Sequence, residues 1–135
     1  MTAITLRLTK GSSLTYQELD NNISNLNTYK VEGRSGTLTT SATTANQILD
    51  SVSSSTVRTL RYIVQVVNGS NYHATSLLLI HDGTNVYLTE YATVTSSGIL
   101  ATFDANIASG NLQLVVTPAQ ATSTVFTFSA MTIAA

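Results

Sequence analysis

The chain of 135 residues contains no cysteine, no tryptophan and one proline, and only 10% of its residues are charged. Without cysteine, disulfides and thiolate chemistry are excluded. This charged fraction is far below the usual quarter or so. The six lysines and arginines are scattered and the net charge is -1, so we predict no nucleic-acid partner.

Long apolar runs are also missing. No run approaches the length that crosses a bilayer, so we predict no membrane span. The first residues, "MTAITLRLTK", lack a charged region followed by an apolar one, so we expect no secretory signal peptide. A first strand is predicted here, from the alternation of Ile4, Leu6 and Leu8.

Catalytic motifs are absent as well: there is no G-x-S-x-G, glycine-rich phosphate loop or zinc signature. His81-Asp82-Gly83 invites a catalytic interpretation, but Asp-Gly is foremost a hairpin turn signal. If His73 and His81 flank one strand, about 26 Å separates them, too far to share a metal ion. The carboxylates show no spacing typical of a catalytic pair. We predict no catalytic, cofactor-binding or metal-binding residues, and a protein that is not an enzyme.

Serine and threonine make up roughly three residues in ten. A surface made soluble by hydroxyl groups rather than by charges suits tight association with other proteins. The segment 29–55 is rich in these residues and ambiguous; it is interpreted as a linker, an extended arm or edge strands. Its stretch "TANQILDSV" is compatible with a short helix or a strand.

One short helix is predicted near the start of the chain. Thr15 and Glu18 fit a capping box, in which each side chain binds the other's backbone N–H. The helix body is rich in asparagine and marginal alone, so its apolar stripe needs a partner. That partner is either the chain's own sheet or the same helix of another subunit, and we predict a packing or oligomerisation role for Tyr16, Leu19, Ile23 and Leu26.

From Thr56 onward the sequence alternates like β-structure. Residues 56–67 place Leu60, Tyr62, Val64 and Val66 on one face. Turns are predicted at 68–71, 81–85 and 96–98. Residues 99–103 and 111–117 are predicted as strands joined by 104–110, with Asp104 starting that turn. About six to eight strands with frequent turns predict a mainly β fold, an antiparallel sandwich or open barrel. The expected organisation is a strand plus helix over 1–28, the ambiguous segment over 29–55 and a β-body over 56–135.

A possible exposed contact face lies on the predicted strand 86–94. Tyr87, Thr89 and Tyr91 alternate with apolar residues and share one side of it. Tyrosines in strands often fill half-buried faces, which is the simpler explanation. If that side points outward, it is a subunit contact or a ligand platform.

Several stretches resemble a known family when taken in order. They are "LRLTKGSSLTYQELDNNISNLN", "LRYIVQVVNGSNYHATSLLLIHDGTNVYLTEYATV" and "ILATFDANIASGNLQLVVTP". They resemble short virion proteins and tail-fibre proteins of tailed phages, especially those of marine cyanobacteria. The resemblance implies a structural protein on the exterior of a phage particle, made in the host cytoplasm.

Two roles follow from that resemblance. The first expectation is a capsid decoration or cement protein bound to the coat protein. The alternative is a tail-fibre or baseplate adhesin module that binds the host surface, which requires Tyr87 and Tyr91 to be exposed and favours a trimer. Both imply other virion proteins as partners and a homo-oligomer; a polysaccharide-cleaving enzyme is the third and least favoured hypothesis.

Overall fold

The computed structural model describes residues 11–28 and 32–135. Residues 24–28 and 32 are described by their backbone only. The predicted first strand lies outside the described residues. Helix α1 spans Tyr16–Thr28 and belongs to one compact unit. Its capping box is confirmed: the N–H of Thr15 donates to Glu18 Oε2 over 2.7 Å, and the N–H of Glu18 donates to Thr15 Oγ1 over 3.2 Å. The helix therefore begins where the sequence predicts.

Residues 32–135 form a second compact unit, in which all the regular secondary structure is β-strand. Its strands in chain order are β1 (Glu32–Thr40), β2 (Gln47–Ser53), β3 (Val57–Asn68), β4 (Asn71–His81), β5 (Val86–Thr95), β6 (Ala101–Ala108), β7 (Asn111–Pro118) and β8 (Thr124–Ala134). Within residues 11–28 and 32–135, no helix is long and apolar enough to cross a membrane.

The eight strands form two antiparallel sheets. The larger sheet has the order β1-β8-β3-β4-β5 and the smaller has the order β2-β7-β6. The sheets share one hydrophobic core and do not close into a barrel. This confirms the predicted mainly β, antiparallel, sandwich-like fold with one short helix. The ambiguous segment supplies β1 and β2, one edge strand for each sheet.

The core lies between the sheets because the central strands alternate. In β3, Leu60, Tyr62, Val64 and Val66 are at most 1% exposed, as their spacing predicts. On β8, Phe126 and Phe128 point to the same side and are also buried. The smaller sheet contributes buried residues from β7: Leu112, Leu114 and Val116.

A polar cluster ties the two sheets together beside the core. Arg34 on β1 makes a bidentate ion pair with Asp50 on β2, with distances of 3.2 Å from Nε and 2.6 Å from Nη2. The Tyr62 hydroxyl donates to the same carboxylate over 2.8 Å. Burial and the Asp50 carboxylate together raise the pKa of Tyr62, so its hydroxyl stays protonated and remains a donor.

The structure corrects one predicted connection. Residues 104–108 continue β6 instead of forming a loop, because Phe103, Ala105 and Ile107 alternate towards the core. The hairpin turn lies at Ser109-Gly110, whose φ angles are 50° and 77°. Asp104 therefore does not start a turn; it sits inside β6, and its Oδ1 accepts from the N–H of Ala105 over 2.8 Å.

Candidate functional site

The candidate site is the outer side of the five-stranded sheet, opposite the core. Among the described residues, fifteen large hydrophobic side chains are exposed, and ten of them lie on this one surface. We call these ten the outer apolar face: Ile63, Tyr72, Leu78, Ile80, Tyr87, Tyr91, Val94, Val125, Met131 and Ile133. A concentration of exposed apolar groups on one surface is typical of an interaction site.

Strand register explains how distant residues meet on this surface. Thr59 pairs with Ile133 on one side and with Ile80 on the other, and Ile80 pairs with Tyr87. These outward side chains therefore form one row across four strands. Ile63, near the middle of the central strand, is 57% exposed and marks the middle of the surface.

Strand β4 supplies apolar groups to both faces of the sheet. Its residues Leu77 and Leu79 are buried in the core, whereas Leu78 and Ile80 are 42% and 47% exposed. A strand that is apolar on both sides is typical of a sheet covered on both sides. Among the described strands, those of the smaller sheet cover the inner side, and none covers the outer side.

Tyr87 is held in place by the turn that precedes its strand. Its hydroxyl donates to Asp82 Oδ2 over 3.0 Å, while Asp82 Oδ1 accepts from the N–H groups of Thr84 and Asn85. These backbone donors, with the Tyr87 hydroxyl, lower the pKa of Asp82. The hydrogen bond to Asp82 in turn raises the pKa of Tyr87, so the phenol remains neutral. The Asp82-Gly83 segment makes the hairpin turn that the sequence predicts.

A β-bulge shapes the rim of the surface on β5. Ala74 pairs with Val94 and Ser76 with Tyr91, so Thr75 faces two residues, of which Ala92 has a φ of 56°. The extra residue shifts the alternation, and Val94 points outward with 65% exposure. The shift also explains why Ala92 is exposed, whereas Val86 and Leu88 are partly buried against the core.

Two shallow depressions lie along this surface. One of about 370 Å³ is lined by residues that include Leu78, Ile80 and Tyr87. The other, of about 320 Å³, is lined by Tyr72, Val94 and their neighbours. Both are mainly apolar and open, so they fit protruding side chains of a partner better than an enclosed small molecule.

The outer surface is nearly free of charge. Arg61 is the single charged residue among the outward positions of β1, β8, β3, β4 and β5. Towards β1 the outward groups are small and hydroxylic: Ser35, Thr37, Thr127 and Ser129. The surface therefore favours a neutral, apolar partner over a strongly charged one.

Of the predicted site residues, Tyr87, Thr89 and Tyr91 lie together on this surface and are exposed. The helix residues Tyr16, Leu19 and Ile23 are 90%, 48% and 53% exposed, and the side chain of Leu26 is outside the described residues. Their roles in packing and contact stay predictions. The contributions of β3, β4 and β8 to the surface were missed, although the uninterrupted run Leu77-Leu78-Leu79-Ile80 signals a strand that is apolar on both sides.

Both histidines are buried, and the Nδ1 of each accepts a hydrogen bond from a backbone N–H. His81 is 3% exposed, its Nε2 lies 2.6 Å from the Val57 carbonyl, and its Nδ1 accepts from the N–H of Gly83 over 3.0 Å. His73 is 2% exposed, and its Nδ1 accepts from the N–H of Leu100 over 3.3 Å. Burial lowers the pKa of His73, against a smaller opposing effect of Glu90. Within the described residues, no three His, Asp or Glu side chains cluster as metal ligands would.

Among solved structures, the distant likenesses of this chain include two phage tailspike proteins. No family model and no curated protein matches the chain. The fold is similar to part of the tailspike protein of Acinetobacter phage vB_ApiP_P1, at 15% identity and a TM-score of 0.43 over 74% of this chain and 21% of that one. It is also similar to part of the tailspike protein of Acinetobacter baumannii phage AM24, at 9% identity and a TM-score of 0.44 over 78% of this chain and 27% of that one. The chain thus spans about a quarter of each tailspike or less.

Proposed function

We propose that the chain is a structural module on the exterior of a phage particle, of the tail-fibre or baseplate type, and that its outer apolar face is an assembly surface. The observation that carries the assembly role is the gathering of ten exposed hydrophobic side chains on one side of one sheet. The phage role is supported by the sequence resemblance to virion and tail-fibre proteins.

Tail placement is preferred to capsid decoration for one reason. The tail hypothesis requires Tyr87 and Tyr91 to be exposed, and they are 56% and 39% exposed. The decoration hypothesis makes no such demand. The proposal also includes a phage of marine cyanobacteria as the source and other virion proteins as the partners. It includes the absence of enzymatic activity as well.

Immunogold labelling of intact particles with an antibody to this chain tests the placement. Gold at the tail is the expected result. Gold over the head surface would support decoration instead, and particles without label, in a preparation where the antibody recognises the purified protein, would contradict a virion role.

Host attachment is a narrower part of the proposal. Replacing both Tyr87 and Tyr91 by alanine should weaken binding of the protein to host cells, because it removes apolar area with polar tips at the rim of the surface. Replacing Thr102, on the outer side of the smaller sheet, by alanine is the matched control. Equal cell binding by all three proteins would contradict a role of the tyrosine pair in attachment.

A further inference from the structure

We propose that the middle of the outer apolar face is covered by helix α1 of a second copy of this chain, so that each copy gives its helix to one neighbour and receives a helix from another. This inference rests on the proposed function, in which the surface serves assembly, and it names the segment that fills the surface. Because the contact joins two different surfaces, linked copies close into a ring, and a trimer is one such ring.

Helix α1 presents an exposed apolar stripe. Tyr16, Leu19 and Ile23, which we call the helix stripe, are 90%, 48% and 53% exposed. An isolated helix of 13 residues is marginal in water, and this one is rich in asparagine, a poor helix former. The helix is therefore stabilised by any surface that buries its stripe.

The outer apolar face has the complementary property. Leu78 and Ile80 are exposed on a strand that is apolar on both sides, which is typical of a sheet covered on both sides. Both this face and the helix stripe are exposed in the single copy that the structure describes. When the helix of one copy lies on the sheet of the next, the two surfaces bury each other in an ordinary helix-on-sheet layer.

A helix covers the middle of this face and leaves its rim open. Helix α1 has 13 residues, so it is about 20 Å long and about 10 Å wide with its side chains. Five strands about 4.8 Å apart are about 24 Å wide. A helix laid along β3 and β8 therefore covers about two strands, and Tyr87 and Tyr91 on the edge strand β5 stay exposed for host attachment.

The relief at the middle of the face leaves room for side chains of the helix. Ile63 on β3 pairs with Ser129 on β8 and with Ser76 on β4. These serines are small, so a shallow site flanks Ile63 on each side. The branched side chains of Leu19 and Ile23 can pack there against Ile63.

Charge favours the helix over other apolar partners. Arg61, the single charged residue at the outward positions of the five strands, lies two residues before Ile63 on the same side. The sequence of α1 contains Glu18 and Asp20 but no lysine or arginine. Asp20 directly follows Leu19 at the border of the stripe, so its carboxylate can meet Arg61 while the stripe packs on Ile63. A second outer face or a neutral glycan offers no carboxylate to this arginine.

Cross-linking between two different single-thiol variants tests the contact. The chain contains no cysteine, so each introduced thiol is the one reactive site of its protein. Leu19→Cys and Ile63→Cys are coexpressed, one of them with a larger tag that identifies the mixed dimer by its mass, and are treated with a short bismaleimide linker. Thr102→Cys, exposed on β6, replaces Ile63→Cys in the matched control. Circular dichroism first establishes that all three variants fold.

The expected result is a strong mixed dimer of Leu19→Cys with Ile63→Cys and loss of that dimer in the control mixture. No mixed dimer, or equal mixed dimer in both mixtures, would overturn the inference. A predominant dimer of Leu19→Cys with itself would overturn it as well, because the helices would then pair with each other. A protein that carries both thiols and is linked only within one chain would show that the helix covers the face of its own copy.

A second pair of variants tests the helix stripe without a linker. Ile23→Asp places a carboxylate on the stripe, and Asn21→Asp adds the same charge on the opposite side of the helix. Ile23→Asp should sediment as single chains, whereas Asn21→Asp should keep the mass of the wild type. An unchanged mass of Ile23→Asp would overturn the inference. Particles labelled at the tail, together with no mixed dimer, would leave the proposed function standing and remove only this inference.

Discussion

The two sides of the five-stranded sheet are both apolar, but within residues 32–135 the smaller sheet covers only the inner one. Leu79 is 1% exposed and its neighbour Leu78 is 42% exposed, although both are leucines on the same strand. The inner side gains its stability from packing against the smaller sheet. The outer side repeats the chemistry of a core, but no strand of residues 32–135 packs on it, and this contrast leads us to propose an assembly surface there.

The largest expected effect is the difference in stability between variants of these two leucines. Leu79→Ala should lower the free energy of unfolding by roughly 3 kcal/mol, because it leaves a cavity in the core. Leu78→Ala should change it by less than about 0.5 kcal/mol in the dissociated chain. Denaturant titration at low protein concentration measures both. Similar losses for the two variants would mean that the sides do not differ as described.

The polar cluster on the inner side gives the next effect. Asp50→Ala should cost roughly 2 kcal/mol, because the buried Tyr62 hydroxyl loses its acceptor and Arg34 loses its ion pair. Asp104→Ala, exposed on β6, is the matched control and should be nearly neutral. Thermal unfolding of both proteins checks this. A neutral Asp50→Ala would show that the cluster does not hold the two sheets together.

Two glycines of the edge strand β1 allow the inner and outer sides of the sheet to be compared again. A Cβ at Gly36 would lie 2.7 Å from Phe128 Cε1, whereas one at Gly33 meets nothing within 4 Å. Gly36→Ala should therefore cost about 1.5 kcal/mol through overpacking, and Gly33→Ala should cost nothing measurable. Chemical denaturation of the pair distinguishes them. Equal stability would mean that Phe128 moves aside freely.

The smallest effect concerns pH and the buried His73. Since its pKa is lowered in the folded chain, the unfolded chain binds more protons below its ordinary pKa of 6.5. Stability should therefore fall as the pH drops below that value, by at most about 1.4 kcal/mol per pH unit from this group. His73→Asn, which keeps an acceptor for the N–H of Leu100, should flatten that slope. Identical slopes for wild type and variant would contradict the buried neutral histidine.

Much of the fold follows from local patterns in the sequence. The capping box at Thr15 and Glu18 and the alternation of Leu60, Tyr62, Val64 and Val66 depend on neighbouring residues, and both are confirmed. The extent of β6 was missed because its turn uses Ser109, a residue that seldom adopts a positive φ.

The candidate site was only partly predictable for a physical reason. Tyr87 and Tyr91 could be placed on one side of a strand from their spacing. The rows that join Ile133, Thr59 and Ile80 depend on pairing between strands far apart in sequence. The ion pair of Arg34 with Asp50 likewise joins residues from two different sheets. Single-strand patterns contain no information on such pairings.

Sedimentation of the wild type beside Ile63→Lys and Thr102→Lys tests the central claim most directly. A lysine at the middle of the outer apolar face must be desolvated on assembly, whereas one on β6 stays in water. We predict that the wild type and Thr102→Lys sediment as oligomers of the 14.3 kDa chain and that Ile63→Lys sediments as a monomer. A monomeric wild type, or an Ile63→Lys protein of unchanged mass, would contradict the account.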